Sequence, residues 1–372
     1  MVLTAGLGQW SSAWSPVQTE IARTTRACAW DRAGFGFSEA SAARQDLVET
    51  TGDLARLLDA AGIEGPYVLV GHSAGGFESM LFADRHRERV AGMVLVDSTV
   101  PDQDRLTREA APALRAYYER IEAESAFAIR RCIADLESGV PGAAAPDPNH
   151  CFDYPPDYPA ALAAALRRLD ADPARLATQL SLFHYYWSGE ASRFMIDPRR
   201  HYGALPLIVL TAGERVAVEG MPADAIAQFP SQTAAWNRSH DALAALSVRG
   251  ENRIVAGASH SIQRRRPEAV IAAVREVVEA ARRRSRPAAS RREFFEGQAL
   301  ERRQIHRAAR TSSRIVKPHA SSCTAPERWN SHKPEKTSAI PSPVIPRRNQ
   351  ICRGESDING DRRSFEARRL PG

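Results

Sequence analysis

The first 281 residues of this chain contain no lysine; all three lysines among its 372 residues, Lys317, Lys333 and Lys336, come later. No lysine stands in the loop after Val70 to hold a phosphate, and no G-x-G-x-x-G follows an apolar run, so nucleotide binding is not expected. Positive charge is also missing where the net value of +6 suggests it. After Ala281 there are 22 Lys/Arg against 9 Asp/Glu, which leaves 28 against 35 before it. The forward part is mildly acidic and has no feature of a nucleic-acid binder, and the arginines of the tail, without interleaved aromatics, read as solvated. Cysteine is scarce. Cys28, Cys132, Cys151, Cys323 and Cys352 form no C-x-x-C pair, and no His/Asp/Glu cluster has ligand spacing, so neither a metal nor another cofactor is expected. No apolar run approaches the roughly 20 residues of a membrane span. No charged segment followed by an apolar one opens the chain either, so as written it reads as cytoplasmic.

Cys28 lies in the apolar run Thr25–Trp30 and is expected to pack as a small hydrophobe. Cys132 and Cys151 pair across a loop if the compartment is oxidising and stay reduced otherwise.

What is present is an alternation of short apolar runs and helical periods. Met1–Thr4 reads as a strand and is followed by the Gly-rich loop Ala5–Gly8. A helix from Ser15 to Ala22, the Cys28 strand and the loop Asp31–Ser38 come next. Leu47, Thr51, Leu54, Leu57 and Leu58 repeat at helical spacing, with Gly62 as a stop signal. The strand Tyr67–Val70 follows, then Val90–Val96, which ends in Asp97. This rhythm implies an α/β protein, a mainly parallel sheet with helices on both faces.

From about Pro101 to Tyr202 the pattern is helical only: Ala111–Ser125, Ala126–Glu137, Ala160–Leu169 and Pro173–Leu182, around a Pro/Asp-rich loop at Ala145–Tyr158. The earlier rhythm then returns with strand Leu205–Thr211, a helix near Ala234–Leu246, strand Arg253–Val255 and helix Pro267–Arg283. Beyond it the Arg/Ser/Pro-rich sequence has no apolar period and is expected to be disordered. The organisation is therefore a core of residues 1–100 and 203–283, a helical cap insertion of residues 101–202, and a basic disordered tail of residues 284–372. The abrupt change in lysine usage points to a separate origin for the tail.

Between the strand Tyr67–Val70 and a helix of small residues stands Gly71-His72-Ser73-Ala74-Gly75, a G-x-S-x-G nucleophile elbow. Its glycines belong where a side chain would collide between strand and helix. A serine hydroxyl needs a base. His260, in a short loop after a strand and before the last amphipathic helix, falls at the same sheet edge. His240 and His72 are weaker candidates, and His184 and His201 fall in or beside the insertion, where they would line or support a pocket. The imidazole needs a carboxylate, and two end strands at that edge: Asp97 and Glu214, with Asp97 preferred. The oxyanion needs donors, and the backbone N–H groups of Ala74 and Leu7 are placed to supply them.

These motifs resemble the α/β-hydrolase superfamily, and within it the bacterial esterase-like branch with a helical cap, over roughly Met1 to Arg283. The resemblance rests on Ala5–Gly8, Asp31–Ser38, Pro66–Gly76, Val94–Ser98 and Ser259–Gln263, in that order. It implies an α/β-hydrolase fold and acyl-bond hydrolysis with Ser73 as nucleophile, His260 as proton carrier and no cofactor. Two departures stand out. Relatives usually carry two further strands, and often an export or anchoring segment, before the strand that opens this chain, which leaves the Cys28 strand at an edge. The usual aspartate a few residues past the Leu207 strand is absent, and Glu214-Arg215 stands there.

The expected substrate is a small molecule with an apolar acyl or aromatic group, from Phe183, Tyr185, Tyr186 and Trp187 in the insertion, although these rings could equally serve to pack it. The same triad serves peroxidase-type and carbon–carbon bond hydrolysis. A truncated, inactive or merely ligand-binding product is the alternative from outside enzymology.

Overall fold

Six parallel strands form one sheet, in the order β2-β1-β3-β4-β5-β6, in the computed structural model, which describes residues 1–139, 147, 151–154 and 158–285. The chain runs from β1 (Val2–Thr4) through a 3-10 turn at Ser11–Trp14 and α1 (Ser15–Ala22) to β2 (Cys28–Ala29) at the edge. It returns through α2 (Leu47–Ala60) to β3 (Tyr67–His72), α3 (Ala74–Arg85) and β4 (Val90–Val96). Helices alone follow among the described residues: α4 (Gln103–Ala110), α5 (Pro112–Glu137), α6 (Ala160–Asp170), α7 (Pro173–Trp187) and α8 (Glu190–Phe194). Then come β5 (Leu207–Ala212), α9 (Ala223–Ala227), α10 (Phe229–Ala244), β6 (Gly250–Val255), α11 (Ile262–Arg265) and α12 (Pro267–Ser285).

Strand alternation places neighbouring residues on opposite faces and so builds two cores. Val70, Val94 and Ile208 are aligned across β3, β4 and β5. With Leu3 they pack against Val17 and Ile21 of α1 and Val270, Val274 and Val277 of α12. One residue earlier, Leu69, Met93 and Leu207 face the other way, against Leu54 and Leu58 of α2, Phe77 and Met80 of α3, and Trp236 and Leu243 of α10. Each large side chain so buried contributes about 1.5–3 kcal/mol. Helix α2 starts where the Asp46 carboxylate accepts the N–H groups of Val48 and Glu49 at 2.8 and 2.9 Å, a cap worth about 1 kcal/mol.

The structure departs from the sequence expectations mainly in the insertion. Ala111–Ser125 and Ala126–Glu137 are one continuous helix, α5, because no Gly or Pro interrupts Ser125-Ala126. The α7 helix runs five residues past Leu182 to Trp187, and α4 and α8 were not anticipated. Cys132 of α5 and Cys151 are joined by a disulfide, and Cys28 is buried in β2. The tail after residue 285, Cys323 and Cys352, and parts of the Ala145–Tyr158 loop lie outside the described residues.

Candidate active site

Ser73 stands between β3 and α3 with φ 51° and ψ −122°, a backbone conformation that costs a non-glycine residue of order 1–3 kcal/mol. Four hydrogen bonds hold it there. Its N–H donates to Val96 O at 3.0 Å, and its carbonyl accepts from Gly76 N at 2.9 Å and from both N and Oγ1 of Thr99 at 3.1 Å. A Cβ on Gly71 would strike the Gly75 carbonyl, and one on Gly75 would strike the Thr4 carbonyl, so only glycine lets β3, α3 and β1 approach this closely. The Ser73 side chain is left partly exposed at the carboxyl edge of the sheet.

Across that edge, His260 follows β6 in the loop before α11. Its Nδ1 lies 2.7 Å from Oδ2 of Asp97, which ends β4 with its side chain 0% exposed, while the imidazole is 51% exposed. The other Asp97 oxygen accepts the Ala212 N–H and the Trp236 Nε1–H, each at 3.0 Å. Burial alone would raise the Asp97 carboxyl, but the His260 hydrogen bond and charge, with His240 and Arg215, overcome it and hold the group well below the usual carboxylate range. Asp97 is thus an ionised acceptor, so Nδ1 of His260 carries the proton and donates. Nε2 of His260 has no partner among the described residues. Glu214 is exposed, its backbone N–H donates to Ala258 O, and its carboxylate does not bond to His260.

The other histidines take different places. His240 is buried behind Asp97, with Nδ1 at 2.6 Å from Thr211 Oγ1 and Nε2 at 2.9 Å from Ser98 O. Burial lowers its pKa. His72 is fully buried, and burial followed by the nearby His260 pushes it down to about 3, so it is neutral. Its Nε2 lies 3.0 Å from the His260 carbonyl and its Nδ1 3.1 Å from the Gln9 side chain. A neutral ring that donates to the carbonyl must accept at Nδ1, so Gln9 turns its amide NH2 toward it. His72 therefore ties the elbow to the backbone of His260 and to the loop after β1. His184 pairs through Nε2 with Arg130 at 2.7 Å, and His201 is exposed.

The N–H groups of Leu7 and Ala74 have no acceptor among the described residues. Leu7 sits in the turn closed by Gln9 N–H to Gly6 O, with Gly8 at φ 73°. A group absent from the sequence reading fixes that turn. Arg32 donates through Nη2 to Ala5 O at 2.5 Å and through Nη1 to Gly6 O at 3.1 Å, and clasps Glu78 of α3 through Nε and Nη2 at 2.7 and 2.6 Å. Glu78 could have been singled out as the one acidic residue in the first two turns of a helix with no exposed face, whereas Arg32 stood out only as a member of the Asp31–Ser38 loop, with no role attached.

Of the four aromatic residues in α7, Phe183 lies against this loop. The Phe183 ring lies against Gly8, stacks on Trp187 at 4.8 Å and meets Phe35 edge-on at 5.9 Å. Tyr185 joins the core, and Tyr186 stacks on Phe77 with its hydroxyl 3.3 Å from the Ala74 carbonyl. Among the described residues no cluster of three or more His, Cys, Asp or Glu could hold a metal, and no helix is long and apolar enough to cross a membrane.

Residues 1–125 match the family model described as alpha/beta hydrolase fold. A putative carbamate hydrolase RutD of Azorhizobium caulinodans is 34% identical over 97 residues, 26% of this chain and 36% of that protein. A 2-hydroxymuconate semialdehyde hydrolase of a Pseudomonas species is 40% identical over 94 residues, 25% and 32% of the two chains. The chain spans 40% or less of the length of the curated relatives it matches. A solved thermophilic esterase from Thermogutta terrifontis superposes with a TM-score of 0.45 at 19% identity, covering 75% of this chain and 89% of that one. The family match over residues 1–125 and the parallel six-stranded sheet give the chain an α/β-hydrolase fold.

Proposed function

We propose that this protein is a serine hydrolase that cleaves an ester or related acyl bond through an acyl-enzyme. The observation that carries the reading is the 2.7 Å hydrogen bond from His260 Nδ1 to the buried Asp97 carboxylate, at the sheet edge where the strained Ser73 ends β3. In this reading Nε2 of His260 takes the Ser73 proton as Oγ bonds to the acyl carbon. The Leu7 and Ala74 N–H groups receive the charge on the tetrahedral oxygen. His260 then gives its proton to the departing alcohol oxygen as the carbon–oxygen bond breaks. Water repeats the cycle: His260 takes its proton, its oxygen bonds to the acyl carbon, and Ser73 leaves reprotonated with the acid released. Asp97 stabilises the imidazolium and fixes its orientation, and Glu214 has no part.

Helices α4 to α8 form a cap in this account, with Phe183, backed by the stacked Trp187, as a wall beside the Leu7 turn. That wall suits an apolar or aromatic acyl group. The similarity to the semialdehyde hydrolase makes carbon–carbon bond hydrolysis by the same three residues the second reading. Profiling against p-nitrophenyl esters and vinylogous 1,5-diketones tests the two. Turnover of the esters that disappears in Ser73→Ala supports the first; turnover of the diketones alone supports the second.

A further inference from the structure

Arg215 lies three residues past the end of β5, where the resemblance leads one to expect an aspartate. Its guanidinium carbon stands 5.3 Å from the centroid of the Trp236 ring, whose Nε1 holds Asp97. Its charge acts on Asp97 and His240 of the core and on Tyr118 of α5. The side chain therefore sits at the seam between the sheet edge and the helical insertion, close to the Asp97–His260 pair.

Two of its nitrogens, Nε and Nη2, are buried and have no hydrogen-bond partner among the described residues. A buried charged donor left unpaired is costly, which makes it a candidate for a missing ligand. The pair is also the edge with which a guanidinium binds a carboxylate through two parallel bonds. Arg32 presents this same Nε/Nη2 edge to Glu78. The Asp97 carboxylate, on which the Arg215 charge acts, is not free to fill it: it accepts from His260 on one oxygen and from Ala212 and Trp236 on the other. The adjacent Glu214 makes no ion pair with it and points to solvent.

We infer that Arg215 anchors a carboxylate on the substrate, so that the pocket takes an ester whose distal end is anionic. The inference rests on the serine-hydrolase reading for the word ester, but not for the anion site. Tyr118, which feels the Arg215 charge, and Val216, the next residue along the chain, are exposed and largely apolar, so one charged end on an otherwise apolar chain matches the surroundings.

The test compares p-nitrophenyl hexanoate with the p-nitrophenyl hemiester of adipic acid, which differ chiefly in the terminal carboxylate. The folded wild type should turn over the hemiester with a kcat/KM at least tenfold above the hexanoate. In Arg215→Gln that ratio should fall tenfold or more, mostly through KM, and Arg215→Lys should restore part of it. Parity of the two esters in the wild type overturns the proposal, as does a ratio that Arg215→Gln leaves unchanged, whether or not both rates drop. If Arg215→Gln fails to fold, the wild-type comparison alone decides. Calorimetric binding of adipate to the full chain separates this idea from the mechanism. Adipate binding weakened tenfold in Arg215→Gln supports the site even if Ser73 proves not to be the nucleophile; equal binding to both proteins refutes it even if Ser73 is.

Discussion

Arg32 and Glu78 face each other edge to edge, 4% and 0% exposed, through two hydrogen bonds of 2.7 and 2.6 Å. Neither residue approaches the reacting atoms in the proposed mechanism. The remaining donors of Arg32 grip the Ala5 and Gly6 carbonyls, so the pair connects the helix behind Ser73 to the turn that presents Leu7. Removing one partner leaves a bare buried charge, which typically costs about 3–5 kcal/mol. Glu78→Gln and Arg32→Met should each lower stability by that order in urea unfolding, and the double variant should lose less than the sum. Where a variant folds, kcat should fall more than KM rises under the proposed mechanism, because the Leu7 turn is released. Additive losses, or an unchanged kcat, would show that the pair does not position the turn.

The acid assignment gives a sharp contrast. Asp97→Asn keeps the shape of the site but removes the charge that orients His260, and should reduce kcat on the order of 10⁴ with little change in fold. Glu214→Gln should remain within a fewfold of the wild type. The reverse pattern in ester assays would move the acid to Glu214.

Stability should drop on mild acidification before most carboxylates titrate. Burial lowers both His72 and His240, His72 down to about 3, while the unfolded chain binds protons at histidines near pH 6.5. The unfolded state therefore takes up more protons below pH 6.5. Stability is fully present above that value and falls toward pH 3, by about 1.4 kcal/mol per pH unit for each fully titrating histidine. The depressed Asp97 adds a loss of the same sign, beginning near the ordinary carboxylate range. In urea titrations between pH 7 and 4, His72→Gln should show a slope shallower by up to one proton. Equal slopes would contradict a neutral buried His72.

Much of this was readable from local signals. The elbow at Gly71–Gly75 and the strand–loop–helix around His260 each place a residue at the carboxyl edge of a parallel sheet, and that sheet follows from alternating short apolar runs and helices. The choice between Asp97 and Glu214 was not settled, because both follow strands that end at the same edge. What separates them in space is the rotation of one carboxylate into the cavity made by Ala212, Trp236 and His260, and no spacing encodes that. Gln9 and Arg32 were missed for a similar reason. Their partners His72, Ala5, Gly6 and Glu78 lie on other elements, so the contacts exist only once β1, β3 and α3 are packed together. The join at Ser125-Ala126 was legible and was misread: no breaking residue stands there, and the helix continues through it.

Ser73 is the residue on which the proposed chemistry depends. A fluorophosphonate probe, followed by peptide mapping, should leave its adduct on the peptide that carries Ser73, and Ser73→Ala should lose both the adduct and p-nitrophenyl ester turnover by several orders of magnitude. An adduct on another serine, or turnover in Ser73→Ala at the wild-type rate, would contradict it.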